Sequence, residues 1–80
     1  MKKYEPLHDY LLKYNQDSIK ISYKELESIL SSALPDTAFK NKTWWANDKN
    51  GRHVQANAWL EAGWKVQDII LGQYVIFKKV

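Results

Sequence analysis

From Pro6 onward, Leu7, Tyr10, Leu11 and Tyr14 recur at helical spacing, and Pro6 stands where a first-turn proline belongs. A helix is predicted from about Glu5 to Asn15, ended by the polar break Asn15-Gln16-Asp17. Ser18-Ile19-Lys20-Ile21-Ser22 then alternates, with Ile19 and Ile21 on one face, and reads as a short strand. Ser22 followed by Glu25 forms a capping box, in which the hydroxyl bonds a free backbone N–H while the carboxylate reaches back. Leu26, Ile29, Leu30 and Ala33 supply the buried stripe of the second helix. Leu34-Pro35 ends it, and one short helical turn is expected after Pro35, with Leu34, Ala38 and Phe39 packing inward.

Asn47-Asp48-Lys49-Asn50-Gly51 has the composition of a tight turn, with Asn50-Gly51 its strongest signal. A further helix is predicted from Arg52 or His53 to Ala62, closed by Gly63. On a helical projection Val54, Ala58, Trp59 and Ala62 share an apolar face, Ala56 and Leu60 lie towards the other side, and His53, Asn57 and Glu61 form a polar stripe. Trp64–Leu71 and Tyr74–Lys78 are β-rich runs joined by Gly72-Gln73, a Gly-X pair that suits a hairpin turn. The expected fold class is α+β in a single domain over 1–80, with three main helices, a short strand and a C-terminal β-hairpin. That order is the order of a winged helix-turn-helix domain, whose third helix enters a groove and whose hairpin is the wing. Here the segment joining the second and third helices, from residue 33 to 52, is far longer than the ~2–8 residues usual between helices.

Eighty residues without cysteine must be stabilised by an apolar core, with no disulfide and no thiolate metal site. All four tryptophans fall between Thr43 and Trp64. Trp59, on an apolar helix face, and Trp64, opening a strand, are read as core. Trp44 and Trp45 are adjacent, so in an extended segment one points in and the other out. The outward indole could stack on a base, anchor a protein interface or cap the core edge.

Charge is unevenly spread. Residues 1–34 hold five lysines and five acids, whereas residues 35–80 hold six lysines and one arginine against four acids, which accounts for the whole net charge of +3. A basic half suits an anionic partner such as nucleic acid, and equally a solvated lysine surface. No apolar run approaches the ~20 residues of a membrane span, and the N-terminus lacks the apolar segment of a signal peptide, so a cytoplasmic protein is expected.

Little in the chain points to catalysis. His8 and His53 are the two histidines, Pro35-Asp36 has no Glu-x-Lys partner at a suitable strand position, and the three glycines make no phosphate loop. No enzyme activity, metal or cofactor is expected.

The residues Tyr4-x-Pro6-Leu7, Leu11, Ser22-Tyr23-x-Glu25-Leu26-Glu27-x-Ile29-Leu30, Leu34-Pro35-x-Thr37-Ala38, Trp44-Trp45-x-Asn47 and Ala58-Trp59-x-x-Ala62-Gly63-Trp64-x-Val66 resemble a family. It is a set of small bacterial and phage domains of unknown function, found alone or appended to restriction-type proteins. The resemblance covers almost the whole chain. It carries no catalytic or ligand role, and implies a setting of phages, mobile elements and defence against foreign DNA.

The binding surface is expected around the basic turn. Lys40, Lys42, Lys49 and Arg52 flank Trp44 and Trp45, with Asn47, Asn50, His53 and Asn57 in or just after the turn. If His53 and Asn57 open a recognition helix, the nearby cations hold phosphates while Asn reads adenine and Arg reads guanine. Lys65 on the hairpin and Lys78-Lys79 at its end would be wing contacts to the backbone. The partner expected first is DNA. The alternative is a host defence protein, bound by an anti-CRISPR-like inhibitor through the exposed member of the Trp44-Trp45 pair.

Overall fold

The computed structural model describes residues 2–48 and 54–80. A 3-10 turn, Lys2–Tyr4, leads into helix α1, Glu5–Lys13, with Pro6 in its first turn. Leu7 and Leu11, one turn apart, are its buried residues. The helix stops short of Asn15 because the Tyr14 backbone turns extended, its N–H donating to the Leu11 carbonyl. Tyr10 and Tyr14 stack on each other at the rim, 6.0 Å apart. Strand β1, Ser18–Ser22, buries Ile21 and half-buries Ile19, as the alternation predicts.

Helix α2, Tyr23–Leu30, opens on the predicted capping box: the Glu25 N–H donates to Ser22 Oγ at 3.0 Å, and the Ser22 N–H to Glu25 Oε1 at 3.1 Å. It ends where Ser31 adopts φ 54, and the Ser32 N–H donates back to the Glu27 carbonyl, a Schellman-type closure. Ala33, expected on the buried stripe, therefore lies beyond the helix and is exposed. Leu34 turns inward instead, its N–H held by Glu27 Oε2 at 2.8 Å.

Helix α3, Asp36–Lys40, follows Pro35 and buries Ala38 completely. Phe39, expected inward, is 38% exposed, because a helix this short buries one side and the next residue rotates to the rim. There it packs on Tyr23, with ring centroids 4.9 Å apart.

The segment Lys42–Trp45 is a 3-10 turn and not an extended strand, so the expectation that one tryptophan points out is overturned. Successive side chains on a 3-10 turn are a third of a turn apart, not on opposite faces, and here both indoles reach the core. Trp44 is 9% exposed and Trp45 2%. Trp45 stacks on Trp59 with planes 22° apart, and Trp44 meets Tyr4 edge-on. Burial of the Tyr4 ring pushes its hydroxyl pKa up from the ordinary tyrosine value.

Helix α4, Val54–Leu60, buries Gln55, Ala56, Ala58 and Trp59. Ala58, Trp59 and Ala62 of the projected face are buried, but Val54 is 57% exposed and Ala56, projected towards the other side, is fully interior. The cause is Gln55, whose Nε2 donates to the Trp44 carbonyl at 2.8 Å, so a polar side chain occupies the core with a partner. The helix ends at Leu60, two residues before the expected Ala62, and Gly63 at φ +86 redirects the chain into β2.

Strands β2, Trp64–Ile70, and β3, Tyr74–Lys79, form the predicted hairpin. Leu71 leaves the strand, and the hairpin turns over the three residues 71–73 rather than Gly72-Gln73 alone, because the register pairs Ile70 with Tyr74. Its turn places Gly72 at φ +78, and the Gln73 carbonyl accepts from the Tyr23 N–H, tying the turn to the start of α2. The sheet is antiparallel in the order β1-β3-β2. A bulge at Gln67 shifts the register between Val66 and Asp68, so Trp64, Val66 and Ile69 all face the helices despite their uneven spacing. The chain is thus an α+β domain with four α-helices and three antiparallel strands among the described residues. Trp59, Trp64 and Phe77 are the largest fully buried side chains.

Candidate functional site

Asn47 is the residue whose role differs most from expectation. The chain leaves the 3-10 turn extended at Ala46, which carries Asn47 to the free edge of β2. Its Oδ1 accepts from the Val66 N–H at 2.8 Å and from Trp59 Nε1 at 2.9 Å, while its Nδ2 donates to the Val66 carbonyl at 2.9 Å. Both ends of its carboxamide are thus committed within the fold.

A second polar knot lies beneath α3. The Ala38 carbonyl accepts from the Tyr23 hydroxyl at 2.6 Å and from Trp45 Nε1 at 2.9 Å. Trp64 Nε1 donates to the Leu11 carbonyl at 3.0 Å. The indole N–H groups of Trp45, Trp59 and Trp64 each have an acceptor, as interior tryptophans require.

The expected cations separate into two regions. Lys40 and Lys42 are exposed, on α3 and on the 3-10 turn after it. Phe39, which precedes Lys40 in α3, lies beside the hairpin turn, where a Cβ on Gly72 would sit 4.0 Å from its ring. On α4, Asn57 is half-exposed and Glu61 beyond it is exposed. Lys49, Asn50, Arg52 and His53 lie outside the described residues.

Lys65 lies on the hairpin and Lys78 near its end. They are direct cross-strand partners at the opposite end of the hairpin from Gly72, because the register pairs Ile70 with Tyr74 beside the turn and Lys65 with Lys78 far from it. Both are exposed on the sheet face away from the helices. The sequence reading missed Lys20, whose Nζ lies 4.4 Å above the Tyr74 ring on the same face. The alternation of β1 gave its outward direction, but not its pairing with β3.

His8 Nδ1 lies 3.1 Å from Asp9 Oδ1. Among the described residues no group of three or more His, Cys, Asp or Glu side chains comes together to hold a metal ion. No helix among them is long and apolar enough to cross a membrane.

The fold and these surfaces define a small α+β domain with a tryptophan-rich core, helices on one face of its sheet and lysines on the other. Residues 4–80 match DUF7662, described as a domain of unknown function, and the chain belongs to that family. No curated protein and no solved structure matches it.

Proposed function

We propose that the chain is a non-catalytic DNA-binding protein of the winged helix-turn-helix type, working in a phage, mobile-element or defence setting. The observation that carries this reading is the strand order. β1 lies between α1 and α2 in sequence, the β2-β3 hairpin follows α4, and the sheet runs β1-β3-β2. In a winged helix the hairpin likewise follows the helix that reads the groove. In this reading α4 is that helix, with Asn57 on its open side. Lys40 and Lys42 hold phosphates beside the hairpin turn, and Lys49 and Arg52 do so ahead of α4.

Burial of both Trp44 and Trp45 removes the exposed indole on which a host-protein interface would have been anchored. The departures from a simple winged helix, α3 and the 3-10 turn, serve the core by carrying Ala38, Trp44 and Trp45 into it.

The test is duplex DNA binding by two double variants, Lys40→Ala with Lys42→Ala and Lys49→Ala with Arg52→Ala. Each is expected to weaken binding across all sequences, as loss of phosphate contacts does, whereas Asn57→Ala alters base preference. Duplex affinity unchanged by both double variants would mean that the assigned face is wrong.

A further inference from the structure

The helices cover one face of the sheet, where Ile21, Ile69, Val75, Phe77 and Trp64 are buried. On the other face the register sets three cross-strand rows: Ser18–Lys78–Lys65, Lys20–Ile76–Asp68 and Ser22–Tyr74–Ile70. Three lysines, one tyrosine and two isoleucines therefore share a surface with a single acid. Asp68 Oδ1 is already engaged by the Ile69 N–H at 2.8 Å. Among the described residues the contact within salt-bridge distance is His8 Nδ1 to Asp9 Oδ1, so none of these three lysines has a carboxylate that close.

Two features mark this face as a binding surface. Lys65 and Lys78 are directly opposite, with side chains on the same side, an arrangement in which like charges repel and a bridging anion would relieve the repulsion. Lys20 stands diagonally between Lys78 and Tyr74, so the three lysines form a row of cations across β1, β3 and β2. Beside them, the Tyr74 ring is capped by the Lys20 ammonium, and Ile70, 38% exposed, lies opposite Tyr74. The face thus combines a ring, an apolar floor and a row of cations.

We infer that the open face of the sheet binds single-stranded nucleic acid, the Lys20 ammonium moving off the Tyr74 ring onto a phosphate so that bases lie on Tyr74, Ile70 and Ile76 and phosphates along Lys20, Lys78 and Lys65. Single strands offer what the face lacks, flat π-surfaces for the ring and a regular run of negative charge for the lysines. A duplex keeps its base faces stacked inside and cannot use Tyr74. An acidic peptide would satisfy the lysines but has no base to set on the ring. This site lies on the other side of the sheet from α4, and it stands or falls independently of duplex binding by that helix.

The test is binding of a fluorescein-labelled oligo-dT of about 16 nucleotides, at the upper end of the usual site size for one small domain. Lys65→Glu with Lys78→Glu, and Tyr74→Ala alone, are each expected to weaken binding about tenfold or more. Tyr74→Phe, which keeps the ring, and Lys24→Glu, an exposed charge reversal on α2, are expected to stay within about twofold of wild type. Backbone amide shifts in the wild-type protein, which need no substitution, should move at Lys20, Tyr74 and Lys78 when oligo-dT is added. Absence of oligo-dT binding at low salt would overturn the inference, as would equal weakening by Lys24→Glu. Shifts confined to α4 and to residues 49–53 would overturn it too, while favouring the duplex reading. An oligo-glutamate that binds this face as tightly, without regard to Tyr74, would replace it with an acidic protein partner.

Discussion

Asn47 holds Val66 as a neighbouring strand would, accepting from its N–H at 2.8 Å and donating to its carbonyl at 2.9 Å. Val66 lies in β2, which the strand order leaves at the edge of the sheet. An unpaired edge is a template for pairing with another chain, and a side-chain amide in that place blocks it. The same Asn47 oxygen takes the Trp59 indole N–H, so one residue joins the loop after the tryptophan pair to α4 and to β2.

Replacing Asn47 by Ala leaves the Trp59 N–H and two Val66 groups without that partner. The expected cost is about 2–3 kcal/mol, from orphaned donors in a partly buried place. Asn47→Asp keeps the acceptors, loses the donor to the Val66 carbonyl, and should fall between the two. Urea denaturation checks the order. An Ala variant as stable as wild type would show that Asn47 is a surface residue after all.

Tyr23 and Trp45 share one acceptor, the Ala38 carbonyl. Removing either donor leaves the carbonyl with the other, whereas removing both leaves a buried carbonyl with neither. A double-mutant cycle of Tyr23→Phe and Trp45→Phe is therefore expected to be non-additive, the double variant losing about 1 kcal/mol more than the sum of the singles. Simple additivity in thermal or chemical unfolding would contradict a shared acceptor.

Ser31 closes α2 at φ 54, a conformation in which a side chain is strained and glycine is not. Ser31→Gly is expected to stabilise the domain by about 0.5–1 kcal/mol. In a domain of this size that raises Tm by a few degrees, at about 4–8 °C per kcal/mol. A lower Tm for the glycine variant would show that the serine is doing something else at this position.

Local signals carried much of the architecture. The Ser18–Ser22 alternation, the Ser22/Glu25 capping box and the glycines at positions 63 and 72 act within a few residues, and each appears where its chemistry required. The errors came where tertiary contacts decide. Periodicity could not tell that Gln55 would be interior, because a buried carboxamide is stable only if a carbonyl such as that of Trp44 lies opposite. Adjacent tryptophans read as extended point apart, and only the 3-10 turn brings both inside. Asn47 looked like turn composition because nothing local reveals an edge strand nineteen residues ahead. Of the candidate site, the basic character of the second half was plain. The division of its lysines between the hairpin turn and the open sheet face was not, because it depends on a register set by the Gln67 bulge and by the pairing of β1 with β3.

Fluorescence polarisation with random-sequence duplex across a range of salt tests the proposed DNA binding. Binding through a handful of phosphate contacts predicts a linear fall of log K with log salt, with a slope of about −3 to −5. No duplex binding at low salt, or an affinity indifferent to salt, would contradict it.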